Sequence, residues 1–349
     1  MTSNNFHTSF QINGNSFSNF EEIIDFSSSI SKDLHHFLSL WFSTDVHILA
    51  KTSGSTGNPK SISLRKDFMI NSALATGSYF QLGENTKALC CLPINFIAGK
   101  MMIVRALVLG WNLDIIEPTS NPLGKITKEY DFSAMVPLQL RNSLSKINQI
   151  KTLIVGGGVV SLDLEKALQT VNTNCYATYG MTETSTHIAI KKLNKLNQFH
   201  LEAEAVYTTL SDVTISKDKR SCLVIHASKV SNETIITNDV VELISKTKFI
   251  WKGRIDYVIN SGGVKLHPEE IEQKLSDTIH DRFFVAGIPD EILGEKLILL
   301  IEGKSYQITK EHFSNLSRFE IPKETFFLPK FLETGSGKIH RYKTLDLLR

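Results

Sequence analysis

The sequence predicts a large α/β domain followed by a small α+β domain, and three observations carry that prediction. From Val46 to about Lys192, short apolar strand-like runs alternate with helix-period stretches, which is the pattern of a sheet covered by helices. Residues 200 to 250 change to short strands and polar turns, a β-rich subdomain. After "WKGRID" (251–256) the composition shifts again, to a capped helix, two apolar strands and a glycine-containing tail. A chain of 349 residues is long enough for two or more such domains. The expected boundaries are a large domain over 1–252, a hinge over 253–256 and a small lid over 257–349.

Taken in order, residues 1–45 form a short N-terminal segment whose "FEEIIDF" and "LHHFLSLWF" place apolar residues at helical spacing. "VHILAKT" and "SISLRK" read as strands on either side of the loop "SGSTGNPK". "TKALCCLP", "WNLDIIEP", "FSAMVP", "KTLIVGGG" and "NCYATYG" read as successive strands, with "LQLRNSLSKIN" and "SLDLEKALQT" as helices between them. Ser161 is placed as an N-cap with acidic residues in the turn behind it. "HPEEIEQKLSDTI" is a helix with Pro268 in its first turn, and acids there suit the helix dipole. Strands "RFFVAGIP" and "KLILLIEG" and a helix near "TKEHFSNLS" complete the small domain.

Composition excludes several classes. A net charge of +2, from 38 basic and 36 acidic residues, gives no polyelectrolyte signal for nucleic acid or membrane surfaces. Cys90, Cys91, Cys175 and Cys222 have neither disulfide-framework nor zinc spacing. "MMIVRALVLGW" is too short to span a bilayer and carries Arg105. The N-terminus has no basic start and apolar stretch of a signal peptide, so a cytoplasmic protein is expected.

The loop "KTSGSTGNPKS" (51–61) looks like a phosphate loop, but not of the Walker kind. Pro59 stands where the Walker pattern needs its second glycine, and proline offers no N–H to a phosphate. Strands rather than a helix flank it. Thr52, Ser53, Ser55 and Thr56 supply hydroxyls, Gly54 and Gly57 let the backbone wrap, and Lys60 adds a cation.

Further motifs follow in fixed order: "GGG" (Gly156 to Gly158), "TYGMTE" (Thr178 to Glu183), "TND" (Thr237 to Asp239), "GRIDYVINSGGVKLHPEEIE" (253–272) and "TGSGKIHR" (334–341). Each alone is weak; the ordered set resembles the acyl- and aryl-CoA synthetases of the adenylate-forming superfamily, from about Lys51 to the C-terminus. The likeness is nearest to the ligases of the menaquinone pathway that act on 2-succinylbenzoate. It implies an acyl-CoA synthetase-like large domain, N-terminally shortened because only about fifty residues precede the phosphate loop, and a mobile C-terminal lid.

The resemblance also implies roles. The Thr52–Lys60 loop would hold the triphosphate, Gly156, Gly157 and Gly158 would let the backbone approach adenine, and Tyr179 and Gly180 would lie beside the nucleotide. Thr182 would hold the α-phosphate and Glu183 would ligate Mg²⁺, which takes carboxylate together with phosphate oxygens. Asp239 and Arg254 would bind the ribose, although "TND" replaces the family's usual "TGD". Phe96 stands where the family usually has histidine and would gate the acyl pocket; Arg105 and His187 would face the acid. Asp256 would be the hinge, Gly262 and Gly263 would line a pantetheine channel once the small domain has rotated, and Lys338 would enter for adenylation and leave for thioester formation. Each residue also has a bland reading, as a turn, a surface charge or a satisfied core group.

The implied partners are a small carboxylic acid, ATP and coenzyme A, with Mg²⁺ as cofactor. The acid would be an aryl or arylalkanoic acid, first 2-succinylbenzoate. An enzyme that loads a carrier protein, and a nucleotide sensor with a degenerate site, remain as alternatives. The assembly state is open, a homo-oligomer included.

Overall fold

The computed structural model describes residues 6–51, 61–195, 206–333 and 339–348. Elements are numbered in chain order. The N-terminal segment supplies β1 (Gln11–Ile12) and β2 (Asn15–Ser16), then α1 (Phe20–Ser28) and α2 (Lys32–Phe42). Asn19 and Ser31 cap these helices, each side chain accepting a backbone N–H of the first turn. The segment is not an appendage. β1 joins the main sheet, and Phe10, Phe37 and Trp41 lie in its core.

β3 (His47–Lys51) and β4 (Ser61–Arg65) pair antiparallel on either side of residues 52–60, as their composition predicts. α3 (Lys66–Phe80) follows directly, a helix that local periodicity does not predict. Its Asn, Ser, Thr and Gly are poor helix formers in isolation, and packing of Met69, Ala73 and Thr76 into the interior decides the outcome. Gln81 ends it in the left-handed conformation, φ 55°.

β5 (Lys87–Cys90), β6 (Asn112–Ile115), β7 (Tyr130–Met135), β8 (Ile150–Val155) and β9 (Asn174–Gly180) make the parallel half of the main sheet. Helices α4 (Ile97–Leu109), α5 (Pro137–Ser143) and α6 (Leu162–Leu168) connect them. Ser161 occupies the N-cap of α6 as expected, but its hydroxyl accepts from Arg141 rather than from the helix.

Beyond β9 the sheet turns antiparallel through β10 (His187–Lys192), β11 (Val206–Thr209), β12 (Thr214–Lys217), β13 (Cys222–His226), β14 (Ile235–Ser245) and β15 (Lys248–Arg254). The β-rich stretch therefore keeps a core of its own around Leu223, Ile225 and Phe249 while continuing the same 13-stranded sheet.

A second sheet begins after Arg254. It contains β16 (Ile259–Ser261), β17 (Val264–Leu266), β18 (Phe283–Asp290), β19 (Gly294–Glu302) and β20 (Glu324–Leu328), with α7 (Pro268–Leu275) and α8 (Arg341–Leu345) against it. The helix expected near Thr309 is only a short 3-10 turn, Lys310–Phe313.

Candidate functional site

The carboxyl ends of β7, β8 and β9 converge on a cavity of about 240 Å³. Ligand sites of open α/β sheets form at such ends. Ala134, Met135 and Val136 come from β7 and its exit, and Ile154, Gly156 and Gly157 from β8 and its exit. Thr178, Gly180, Met181 and Thr182 come from β9 and the turn beyond it, and Ile97 and Ala98 from the first turn of α4. Leu92, Arg105, Thr186 and His187 complete the wall.

Local constraints explain the glycines that matter. A Cβ on Gly180 would lie 2.3 Å from the Thr186 carbonyl oxygen, so the β9–β10 reversal closes only with glycine there. A Cβ on Gly156 would meet the Thr178 hydroxyl at 2.6 Å. Gly157 adopts φ +79° and Gly158 is exposed beside it.

Arg105, singled out by its place in an apolar helix, is the centre of this wall. Its side chain is almost wholly buried, at 2% exposure, on a helix otherwise apolar on nearly every face. Among the described residues no carboxylate pairs with it. Nε donates to Thr76 Oγ1 at 3.3 Å, Nη2 to Thr186 Oγ1 at 3.2 Å and to His187 Nδ1 at 3.5 Å, and Nη1 faces Met102 Sδ at 3.7 Å. Burial lowers the guanidinium to about 10, which still leaves it charged at neutral pH. Burial, and secondarily the Arg105 charge, push His187 well below the usual histidine range, so the ring is neutral.

A second polar group lies across β9, β14 and β15. Asp239 and Arg254 are register partners. Asp239 accepts from the Tyr179 hydroxyl at 2.6 Å and from Trp251 Nε1 at 3.1 Å. Burial, and then the Asp239 charge, raise the Tyr179 phenol well above its ordinary value, so it remains a donor. Arg254 pairs with Asp256 at 2.5 Å, and Asn238 Nδ2 donates to the other Asp256 oxygen at 3.0 Å. Asp256 lies in the 3-10 turn Ile255–Tyr257, between the two sheets.

Thr182 and Glu183 occupy another 3-10 turn, Thr182–Thr184, at the cavity. Thr182 is buried and lines it; the Glu183 carboxylate is exposed and makes no hydrogen bond or ion pair among the described residues. A lone exposed carboxylate fits magnesium, which takes one or two carboxylates together with substrate phosphates. It does not fit an all-protein cage, and the described residues contain no cluster of three metal-binding side chains.

Other expectations fall elsewhere. Phe96 is the N-cap of α4, half-buried, and its neighbours Ile97 and Ala98 rather than Phe96 itself line the cavity. Gly262 and Gly263 form the β16–β17 turn with φ +57° and +83°, and do not line this cavity. Thr52, Ser53, Gly54, Ser55, Thr56, Gly57, Lys60 and Lys338 lie outside the described residues. Sequence reasoning missed Thr76 and Thr186; isolated hydroxyls carry no motif, and only the position of Arg105 in an apolar helix pointed to a need for polar partners.

Comparison with known proteins agrees with this arrangement. The family model described as AMP-binding enzyme matches residues 27–209. Among curated relatives, 2-succinylbenzoate–CoA ligase of Geobacillus sp. (strain WCH70) is 22% identical, covering 92% of this chain and 73% of that protein. The Listeria monocytogenes enzyme of the same name is 25% identical over 88% and 71% of the respective chains. A solved acyl-CoA synthetase (AMP-forming)/AMP-acid ligase II-like protein from Dyadobacter fermentans is 36% identical over 91% of this chain and 94% of that one, with a TM-score of 0.59. The o-succinylbenzoate CoA synthetase of Bacillus subtilis, solved with its acyl-adenylate intermediate, shares the fold at a TM-score of 0.75 and 20% identity, over 84% of this chain and 68% of that one. A family model over more than half of the chain and a solved relative 36% identical over 91% of it agree: the chain belongs to the AMP-binding enzyme family.

Proposed function

We propose that this protein is an ATP-dependent acid–CoA ligase that converts 2-succinylbenzoate to its CoA thioester. In the first half-reaction one substrate carboxylate oxygen attacks the α-phosphorus of ATP, and pyrophosphate leaves. In the second, a thiolate attacks the acyl carbon, and AMP leaves. A cytoplasmic site of action follows from these substrates.

The observation that carries the substrate is Arg105. A buried guanidinium without a protein anion is costly unless the ligand supplies one. 2-Succinylbenzoate has two carboxylates: one reacts, and the other enters the cavity ionised. A planar fork suits a carboxylate, and the curated relatives that carry this substrate's name support the choice.

The remaining roles follow the geometry. Thr182 lines the cavity next to the exposed Glu183 and would hold the α-phosphate. Bound magnesium, held by Glu183, would neutralise charge on the phosphates. Asp239, oriented by Tyr179 and Trp251, keeps lone pairs for the ribose hydroxyls, and Arg254 stands opposite it. The backbone at Gly156 and Gly157 leaves room for the base. The 253–256 segment would be the hinge of a 257–349 lid that brings Lys338 to the site. That boundary is supported by the change of sheet between Arg254 and Ile259.

The test is ATP-dependent CoA thioester formation over a panel of carboxylic acids. 2-Succinylbenzoate should give the highest kcat/KM, with AMP as the nucleotide product. A preference for monocarboxylic acids, or thioester formation only on a carrier protein, would refute the reading.

A further inference from the structure

The polar groups around Arg105 form a closed hydrogen-bonding pattern whose directions are fixed by elementary donor counting. A guanidinium can only donate. The His187 nitrogen that faces it, Nδ1, must therefore present its lone pair, which puts the single ring proton on Nε2. Nε2 lies 3.5 Å from Thr76 Oγ1 and donates there. Thr76 has one hydroxyl proton, and it goes to the Ser72 carbonyl at 3.0 Å, one turn back on α3. The two lone pairs of Thr76 Oγ1 then receive Arg105 Nε–H and His187 Nε2–H. Every polar atom of Thr76 and of the His187 ring is used. Arg105 keeps the two N–H groups of Nη1, one of which faces Met102 Sδ, for a ligand.

Nothing in this bracket is anionic. An acidic partner would fix the guanidinium equally well but would neutralise it and compete with any carboxylate that enters. A neutral acceptor holds the fork while leaving its charge available. The bracket also spans three separate elements: Thr76 from α3, Arg105 from α4, and Thr186 with His187 at the start of β10. Its geometry is thus set by the packing of the fold before any ligand arrives, the condition under which a charged donor acts without reorganisation.

We infer that His187 and Thr76 are positioning residues for acid specificity: as a neutral acceptor–donor pair they orient the Arg105 fork toward the non-reacting carboxylate of a dicarboxylic substrate. The inference rests on the reading of Arg105 as the carboxylate's partner. His187 acts through Arg105, which distinguishes it from a pocket residue that merely shapes space for any acid.

The experiment compares kcat/KM for 2-succinylbenzoate with that for 4-oxo-4-phenylbutanoate, which lacks only the ring carboxylate, in the parent and in four variants: Arg105→Ala, His187→Leu, His187→Gln and Thr76→Val. Leucine fills the space without polar atoms; glutamine restores one acceptor and one donor; valine keeps the shape of threonine without its hydroxyl. The ratio of the two kcat/KM values is the readout, so a general loss of folded enzyme cancels. His187→Leu and Thr76→Val should each lower that ratio about tenfold or more, chiefly through KM for 2-succinylbenzoate, and His187→Gln should recover most of it. If Arg105→Ala collapses the ratio while His187→Leu and Thr76→Val do not, the positioning role is wrong and the Arg105 reading stands. If the ratio is insensitive to Arg105→Ala, or the parent shows no preference for the diacid, the underlying reading fails and this inference with it. Equal loss in His187→Gln and His187→Leu would also overturn it, because a hydrogen-bonding role must be rescued by a hydrogen-bonding side chain.

Discussion

The Tyr179 hydroxyl donates to Asp239 Oδ2 at 2.6 Å, joining the end of β9 to the middle of the antiparallel sheet. Trp251 Nε1 holds the other oxygen at 3.1 Å. The carboxylate is therefore fixed in orientation, with lone pairs left on both oxygens. Replacing Asp239 by Ala should raise KM for ATP by about tenfold or more, the scale of one charged hydrogen bond of about 1.5 kcal/mol. Tyr179→Phe should show the same change at smaller size. Steady-state kinetics with ATP and acid varied separately check this; a change confined to the acid KM would remove Asp239 from the nucleotide site.

Gly180 should not tolerate a side chain. With 2.3 Å between an added Cβ and the Thr186 carbonyl oxygen, Gly180→Ala must push β10 away from β9. Destabilisation of about 1–3 kcal/mol is expected, as for other overpacked sites, together with displacement of Thr186 and His187 from Arg105. Denaturant unfolding measures the first effect. Unchanged stability would mean that the reversal has slack the structure does not show.

The sheet and its helices were largely legible in the sequence. "NCYATYG" is β9 residue for residue, because alternation, aromatic residues and the terminal glycine all agree there. α3 was not legible: local propensity opposes a helix, and only burial of Met69, Ala73 and Thr76 against the interior overrides it. The same helix delivers Thr76 to Arg105, so missing the helix meant missing the bracket. The continuity of one sheet from β2 to β12 was hidden for another reason. Strand pairing between β11 and β15 is a long-range contact that no local pattern reports.

The interface between the two sheets contains a titratable group. Glu269, in α7, packs against β15: its Oε1 receives the Arg254 N–H at 3.4 Å, while Oε2 is buried without a partner among the described residues. Burial pushes the carboxyl up to about 7, against the opposing pull of Arg341, whose guanidinium is committed to Glu272 at 2.6 Å. A carboxyl with a raised value favours this arrangement when protonated. The contribution is complete below about 4.5, the value of an exposed glutamate, and is lost as pH rises through about 7, by roughly 3 kcal/mol. Small-angle scattering from pH 5 to 9 should show the parent shifting toward other domain arrangements with rising pH, and Glu269→Gln should not shift. The same pH response in both would exclude Glu269.

Lys338 lies outside the described residues, and its role is open to kinetics. If it stabilises charge in adenylation alone, Lys338→Ala should slow that step by about 10²–10³, the loss expected for one preorganised donor. Thioester formation from synthetic acyl-adenylate should be nearly untouched. Equal losses in the two steps would contradict a lysine that swings away between them.

The proposed reaction joins the substrate carboxylate directly to the α-phosphorus of ATP, with 2-succinylbenzoate as the acid. The most direct measurement follows isotope: 2-succinylbenzoate labelled with ¹⁸O in its aliphatic carboxylate is turned over with ATP, magnesium and CoA, and the nucleotide product is weighed by mass spectrometry. AMP should carry one ¹⁸O atom, because the oxygen that attacks the α-phosphorus leaves with it when the thiolate displaces AMP from the acyl carbon. AMP without label, or label appearing in inorganic phosphate alongside ADP, would contradict an acyl-adenylate and the whole assignment built on it.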